Sequence, residues 1–182
     1  MKRLSNKAKP RKLIKAIFSG DSIISSSKEA RDLYGNRLFG EYVNKRIEYS
    51  LVEALYLVEK GKIEVYVKSK KLGFNALLDK FKHIDKKIQI KFIVYRDLRN
   101  KGYLLKTALK FGADFRVYDK GVKPGKDHAK WILYPVSESQ EMTWHDFSAK
   151  NRVAHSTKKN LLIAVVDLEG DITYYEIAWT RP

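Results

Sequence analysis

A tyrosine, a histidine and a lysine in the second half of this 182-residue chain are the groups best suited to chemistry. Tyr118 and His128 stand 10 positions apart and bracket a segment that contains Gly121, Pro124 and Gly125, and Lys159 follows His128 by 31 positions. A phenol, an imidazole and an ammonium group brought together can cut RNA without a metal. A base removes the 2′-hydroxyl proton, an acid protonates the departing 5′-oxygen, and a cation stabilises the crowded phosphorane. Histidine suits the acid role, because its unperturbed pKa of about 6.5 lets it give up a proton near neutrality. Tyrosine, near 10, needs a neighbouring cation or a phosphate-bound network to serve as base. Each residue also has an ordinary reading: a strand-end tyrosine packs, a loop-edge histidine is solvated, and one lysine among many is surface charge. Spacing alone does not choose between the two.

The elements that must position these groups are legible from caps, periodicity and turn residues. A strand over 14–18 turns at Ser19-Gly20-Asp21 into Ile23-Ile24, and a helix over 28–34 opens at Ser26-x-x-Glu29 and stops at Gly35. A second capping box, Ser50-x-x-Glu53, opens a helix over 51–60 that Gly61 ends, before an alternating strand at Ile63, Val65 and Val67. Phe74, Leu77, Leu78 and Phe81 form an apolar helical stripe, and Ile88, Phe92, Tyr95 and Leu98 another. The polar stretch 83–87 is the expected boundary between a small N-terminal α/β unit (1–86, with a basic tail over 1–12) and a C-terminal unit (87–182).

In the C-terminal unit, strands are expected over 103–107 and 114–118, the latter placing Asp114, Arg116 and Tyr118 on one face and Phe115 and Val117 on the other. A strand from His128 through Val136 follows, then a helix over 144–157 capped by Thr143 with Asp146 three residues on. The apolar run 161–166 reads as a buried strand, turned at 167–171 into an alternating strand over 172–179. The fold class is α+β, with a mixed sheet flanked by helices in the second half.

Composition narrows the partner. The 37 Lys and Arg against 21 Asp and Glu give a net charge of +16, which favours a polyanion, nucleic acid first. With 44% apolar residues the chain can fill a core. The absence of cysteine excludes disulfides, thiolate zinc sites and a cysteine nucleophile. His83, His145 and His155 have no zinc-like spacing, and no Asp followed by Glu-x-Lys offers a magnesium site. No apolar run approaches the roughly 18 residues of a membrane span, so the expectation is a soluble, cytoplasmic protein with no membrane partner. The basic tail reads as a solubilising or RNA-gripping arm.

Two stretches carry a family resemblance. Residues 106–128, KTALKFGADFRVYDKGVKPGKDH, and residues 152–175, RVAHSTKKNLLIAVVDLEGDITYY, are very similar to archaeal tRNA-splicing endonucleases. Weaker similarity covers 50–61, SLVEALYLVEKG, and 94–107, VYRDLRNKGYLLKT, so that it spans most of the chain beyond the tail. The order and separations of Tyr118, His128 and Lys159 match the family's catalytic trio, with Lys159 a better match than Lys158. The resemblance implies a C-terminal catalytic domain of restriction-endonuclease-like form and cleavage of precursor tRNA in a bulge-helix-bulge. It also implies 2′,3′-cyclic phosphate and 5′-hydroxyl ends, and no metal or other cofactor.

Tyr118 would be the base, His128 the acid and Lys159 the cation. Arg152 matches a family arginine that stacks on a flipped base, and Tyr174 a second stacking position; their ordinary readings are a helix-surface salt bridge and a sheet-packing tyrosine. Asp167, Glu169 and Asp171 match an acidic hairpin that docks into a neighbouring subunit. The assembly so implied is a homotetramer, or a heterotetramer with a non-catalytic paralogous subunit. The chain departs from the family at Ala129, where serine is common. The alternative to catalysis is a non-catalytic RNA-binding or scaffold subunit of such a complex.

Overall fold

The computed structural model describes residues 13–108, 112–122 and 127–180, so the basic tail over 1–12 lies outside the described residues. The N-terminal half builds a six-stranded sheet from β1 (Ile14–Ser19), β2 (Ser22–Ser25), β3 (Glu41–Val43), β4 (Arg46–Tyr49), β5 (Ile63–Val67) and β6 (Lys70–Leu72). Their order is β3-β4-β2-β1-β5-β6, with β1 and β5 parallel and the other pairs antiparallel. The helices of this half are α1 (Lys28–Arg37), α2 (Leu51–Glu59) and α3 (Phe74–Lys82). The C-terminal half contributes α4 (Ile88–Asn100), β7 (Leu104–Ala108), β8 (Ala113–Tyr118), β9 (Trp131–Ser137), α5 (Trp144–Ser156), β10 (Asn160–Val166) and β11 (Ile172–Ile177). Its five strands run in the order β11-β10-β9-β8-β7, with β9 and β10 parallel and the rest antiparallel, so the sheet is mixed. The α+β class is therefore as expected.

Local chemistry explains the elements that were legible. Ser50 accepts from the Glu53 backbone, and the Glu53 carboxylate takes the Ser50 N–H at 3.1 Å, closing the capping box of α2. That carboxylate is buried, and its second oxygen accepts the Gly40 N–H at 3.0 Å, so a charge that would be costly alone is fully hydrogen-bonded. Thr143 caps α5 as expected.

Helix α1 departs from expectation at both ends. Its cap is Ser27, which accepts from Ala30, rather than Ser26, and the helix runs through Gly35 to end at Leu38, itself left-handed at φ 58°. Gly35 costs helix stability without forcing a stop. The left-handed cap falls instead where the segment from Leu38 to Gly40 turns toward the second sheet. The short strands β3, β4 and β6 were not anticipated, since three or four residues carry little alternation.

One continuous core joins the halves. It runs from Ile14, Ile23 and Leu55 through Phe92 and Tyr95 of α4 to Phe115, Val117, Leu133 and Val166 on one face of the five-stranded sheet. The opposite face packs Ile132, Tyr134, Leu161 and Ile163 against Ala154 of α5. Helices α4 and α5 thus cover opposite faces of the C-terminal sheet.

Candidate active site

Backbone hydrogen bonds bring three distant positions to one end of this sheet. The Lys130 N–H donates to the Val117 carbonyl at 2.9 Å, and the Asn160 N–H donates to the Lys130 carbonyl at 3.1 Å. Tyr118 is the last residue of β8, His128 precedes the start of β9, and Lys159 immediately precedes β10. Because β8 is antiparallel to β9 while β9 is parallel to β10, the end of the first and the starts of the other two share an edge. Neighbouring strands lie about 4.8 Å apart, so the backbones of Tyr118 and Lys159 are separated by roughly two strand spacings, about 10 Å.

Each side chain is held differently. Tyr118 is buried in a small cluster with Leu104 and Ala129, against which Leu38 and Val122 pack. Its ring is therefore braced from the N-terminal half by the residue that caps α1, and Ala129 supplies an apolar contact where a serine would place a hydroxyl. His128 is exposed and stands outside β9, which begins at Trp131 rather than at the histidine.

Lys159 is fixed by the end of α5. The Lys158 N–H donates to the His155 carbonyl and the Lys159 N–H to the Ala154 carbonyl, each at 2.9 Å, while Lys158 is left-handed at φ 56°. That pair of bonds is a Schellman cap, which sets where Lys159 leaves the helix. Its Nζ donates to the Thr157 carbonyl at 2.6 Å. Burial first, and the charge of Arg116 second, hold its pKa below the ordinary lysine value.

Arg116 is a neighbour that spacing did not single out. It lies two residues before Tyr118 on β8, opposite Lys106 of β7. Lys106 donates to the Gly40 carbonyl at 2.5 Å, and burial lowers its pKa. The sheet end therefore carries several cations beside the phenol. Asp114, expected on the face of Tyr118, instead forms an ion pair at 2.7 Å with Lys91 of α4, which also pairs with Asp85 at 2.7 Å. The register of β7 against β8 shifts between Thr107 and Ala108, and that irregularity breaks the alternation on which the expectation rested.

The other candidates divide. Arg152 is exposed on α5, three residues before His155, whose ring lies 4.7 Å from that of Trp179. Since β11 runs antiparallel to β10, Trp179 comes after β11 at the same sheet end as Lys159. Trp179, which sequence reasoning passed over as the end of an alternating strand, is 45% exposed there. Tyr174 does not join this group. It pairs with Ala164 and packs on the α4 face, where its hydroxyl donates to Asp97 at 2.7 Å and Lys101 lies over its ring at 5.2 Å. These are the contacts of a sheet-packing tyrosine. Asp167, Glu169 and Asp171 form the β10–β11 turn at the opposite end of the sheet. The Asp171 N–H donates to the Asp167 carboxylate at 2.8 Å, Gly170 supplies φ 89°, and Leu168 is 86% exposed at the tip.

Comparison with known proteins follows the same division of the chain. Residues 14–78 match the tRNA intron endonuclease N-terminal domain, and residues 88–174 match the tRNA intron endonuclease catalytic C-terminal domain. The chain is 43% identical over 165 residues to a tRNA-splicing endonuclease of Thermococcus onnurineus, covering 90% of this chain and 95% of that protein. It is 46% identical over 156 residues to one of Nanoarchaeum equitans, covering 82% and 97%. It is 39% identical over 168 residues to one of Methanothermobacter thermautotrophicus, covering 90% and 96%.

Proposed function

The chain belongs to the tRNA intron endonuclease family, and from that premise we propose that it cuts precursor tRNA at the intron boundaries of a bulge-helix-bulge by metal-independent transesterification. Tyr118 takes the proton of the 2′-hydroxyl, whose oxygen attacks the adjacent phosphorus. The bond from phosphorus to the 5′-oxygen breaks, and His128 gives its proton to that leaving oxygen. Lys159 stabilises the negative charge that accumulates on the five-coordinate phosphate. The ends left are a 2′,3′-cyclic phosphate and a 5′-hydroxyl. The observation that carries this reading is the arrival of Tyr118, His128 and Lys159 at one end of three adjacent strands.

Bulged nucleotides are unstacked and can be splayed out for recognition. We assign the stacking role to Arg152, together with the exposed ring of Trp179, because Trp179 packs on His155, which follows Arg152 by three positions on α5. Tyr174 is better accounted for by its bond to Asp97. The acidic hairpin, remote from the cutting edge that holds Tyr118, His128 and Lys159, is proposed to dock into a second subunit, in a homotetramer or in a heterotetramer with a non-catalytic paralogue. No helix among the described residues is long and apolar enough to cross a membrane.

The test is incubation of the protein with a bulge-helix-bulge RNA in excess EDTA, followed by identification of the ends. Cyclic-phosphate termini are expected, and 3′-hydroxyl termini or a strict need for added metal would overturn the mechanism. His128→Ala should abolish single-turnover cleavage while leaving RNA affinity within about threefold, and unchanged cleavage would remove His128 from the reaction.

A further inference from the structure

The positive charge of this protein is spread unevenly along the chain, and its densest stretch lies outside the segments that hold Tyr118, His128 and Lys159. The last sixty residues, 123–182, which include His128 and Lys159, hold eight basic and eight acidic residues and are neutral overall. Residues 13–59 hold six basic and seven acidic residues. Residues 60–91 hold ten lysines against Glu64, Asp79 and Asp85, a net +7 in 32 residues. Beyond the N-terminal tail, most of the net charge is concentrated in that one stretch.

The fold brings part of this stretch to one edge of the N-terminal half, while Lys60 and Lys62 lie at the other end of β5 and Lys91 pairs toward the C-terminal sheet. Val67 pairs with Lys70 to close the β5–β6 turn, which presents Lys68 and Lys70 at the edge of the six-stranded sheet. Lys80, in the last turn of α3, lies 5.2 Å over the ring of Phe18, next to Ile17, which pairs with Tyr66 of β5. The end of α3 therefore adjoins the hairpin, with exposed Lys82 as its last residue and exposed Lys86 in the segment that follows it. Some of these charges are neutralised locally: Lys71 pairs with Glu64 at 2.6 Å, Lys82 with Asp79 at 3.6 Å, and Lys91 with Asp85 and Asp114. Among the described residues, Lys68, Lys70 and Lys86 are exposed and meet no carboxylate within ion-pair distance. The stretch ends far from the cutting edge. Lys87 donates to Gln140 at 3.0 Å, just beyond the end of β9 opposite to His128, and the seven residues of β9 span roughly 23 Å.

We propose that Lys68, Lys70 and Lys86 form a second RNA-docking surface, which grips the phosphate backbone of a precursor-tRNA stem away from the cleavage site. The identity of the polyanion rests on the cleavage reading above. Exposed lysines without partners are point charges suited to phosphate contact without base selection, and each contact releases condensed counterions. The surface therefore adds affinity and leaves the choice of cut site to the bulges.

The experiment compares the Lys68→Gln, Lys70→Gln, Lys86→Gln triple variant with a control triple, Lys28→Gln, Lys45→Gln, Arg46→Gln, near the opposite edge of the same sheet. Affinities for a full-length precursor tRNA and for a minimal bulge-helix-bulge duplex are measured against KCl in a His128→Ala background. Cleavage rates at saturating RNA are measured in the active background. The expected result for the first triple on the full precursor is a salt slope shallower by about two to three and a loss of affinity of about tenfold or more near 0.1 M salt. The control triple, the minimal duplex and the saturating cleavage rate should be nearly unaffected.

A slope and affinity equal to those of the control triple would overturn the proposal. An equal loss on the minimal duplex would overturn the placement of the surface away from the cut. A smaller assembly by light scattering with intact RNA binding would assign these lysines to another subunit, and so also overturn it. Failure of the unmodified protein to cut RNA would count against the cleavage reading instead.

Discussion

At the scale of single residues, Lys159 makes the most direct link between geometry and pH dependence. The role proposed for it needs the ammonium form, and burial together with Arg116 lowers the pH at which that form is lost. The expected outcome is a decline of single-turnover cleavage on the alkaline side with a midpoint below the ordinary lysine value of about 10.4. Lys159→Arg keeps its charge over that range and should flatten the decline. A wild-type rate that holds up to the ordinary lysine value would exclude a required ammonium at this position. The roles proposed for Tyr118, His128 and Lys159 rest on an order and spacing that a linear reading contains. Arg116 and Trp179 were not legible in this way, because what marks them is proximity across strands and at a strand end, which a linear reading does not contain.

At the scale of elements, two backbone positions decide how the site is held. Lys158 occupies the left-handed position of the α5 cap, where a side chain costs about 1–2 kcal/mol and glycine does not. Lys158→Gly should raise stability by up to about 1 kcal/mol in urea unfolding, the gain being limited by glycine's greater freedom in the unfolded chain, and should leave cleavage intact. A loss of activity would show that Lys158, and not its neighbour alone, serves the reaction. Gly40 is the second position. It has φ 75°, and a Cβ there would lie 2.6 Å from Ile47 Cγ2 and 2.9 Å from the Glu48 carbonyl oxygen. It also donates to Glu53 and accepts from Lys106, so it ties α2 to β7. Gly40→Ala is expected to destabilise the protein by about 2 kcal/mol or more. A neutral effect would mean that the α1–β3 segment is free to move.

At the scale of the whole molecule, the two halves share one core, and the end of the C-terminal sheet that holds Tyr118, His128 and Lys159 lies opposite the acidic hairpin. In the proposed assembly, that separation keeps the docked hairpin clear of the site in its own subunit. Asp167 is occupied in bracing the turn, so the proposed docking falls to Glu169 and Asp171. Glu169→Gln with Asp171→Asn should reduce the assembly mass measured by light scattering and lower cleavage in proportion. An unchanged mass would remove the hairpin from assembly.

The sequence alone determined the helices with closed caps, the buried strands, the α+β class and the identity of the family. Caps, periodicity and turn residues act within a few neighbours along the chain, and a long motif match survives without coordinates. Only the tertiary structure decided that Tyr174 faces α4, that Asp114 turns to Lys91, and that the N-terminal half braces Tyr118 through Leu38. It also decided that Lys68 and Lys70 stand in a hairpin at the sheet edge beside the end of α3. Which face a residue takes and what it meets there depend on strand register and on packing between elements remote in sequence. Those are set when the sheets assemble.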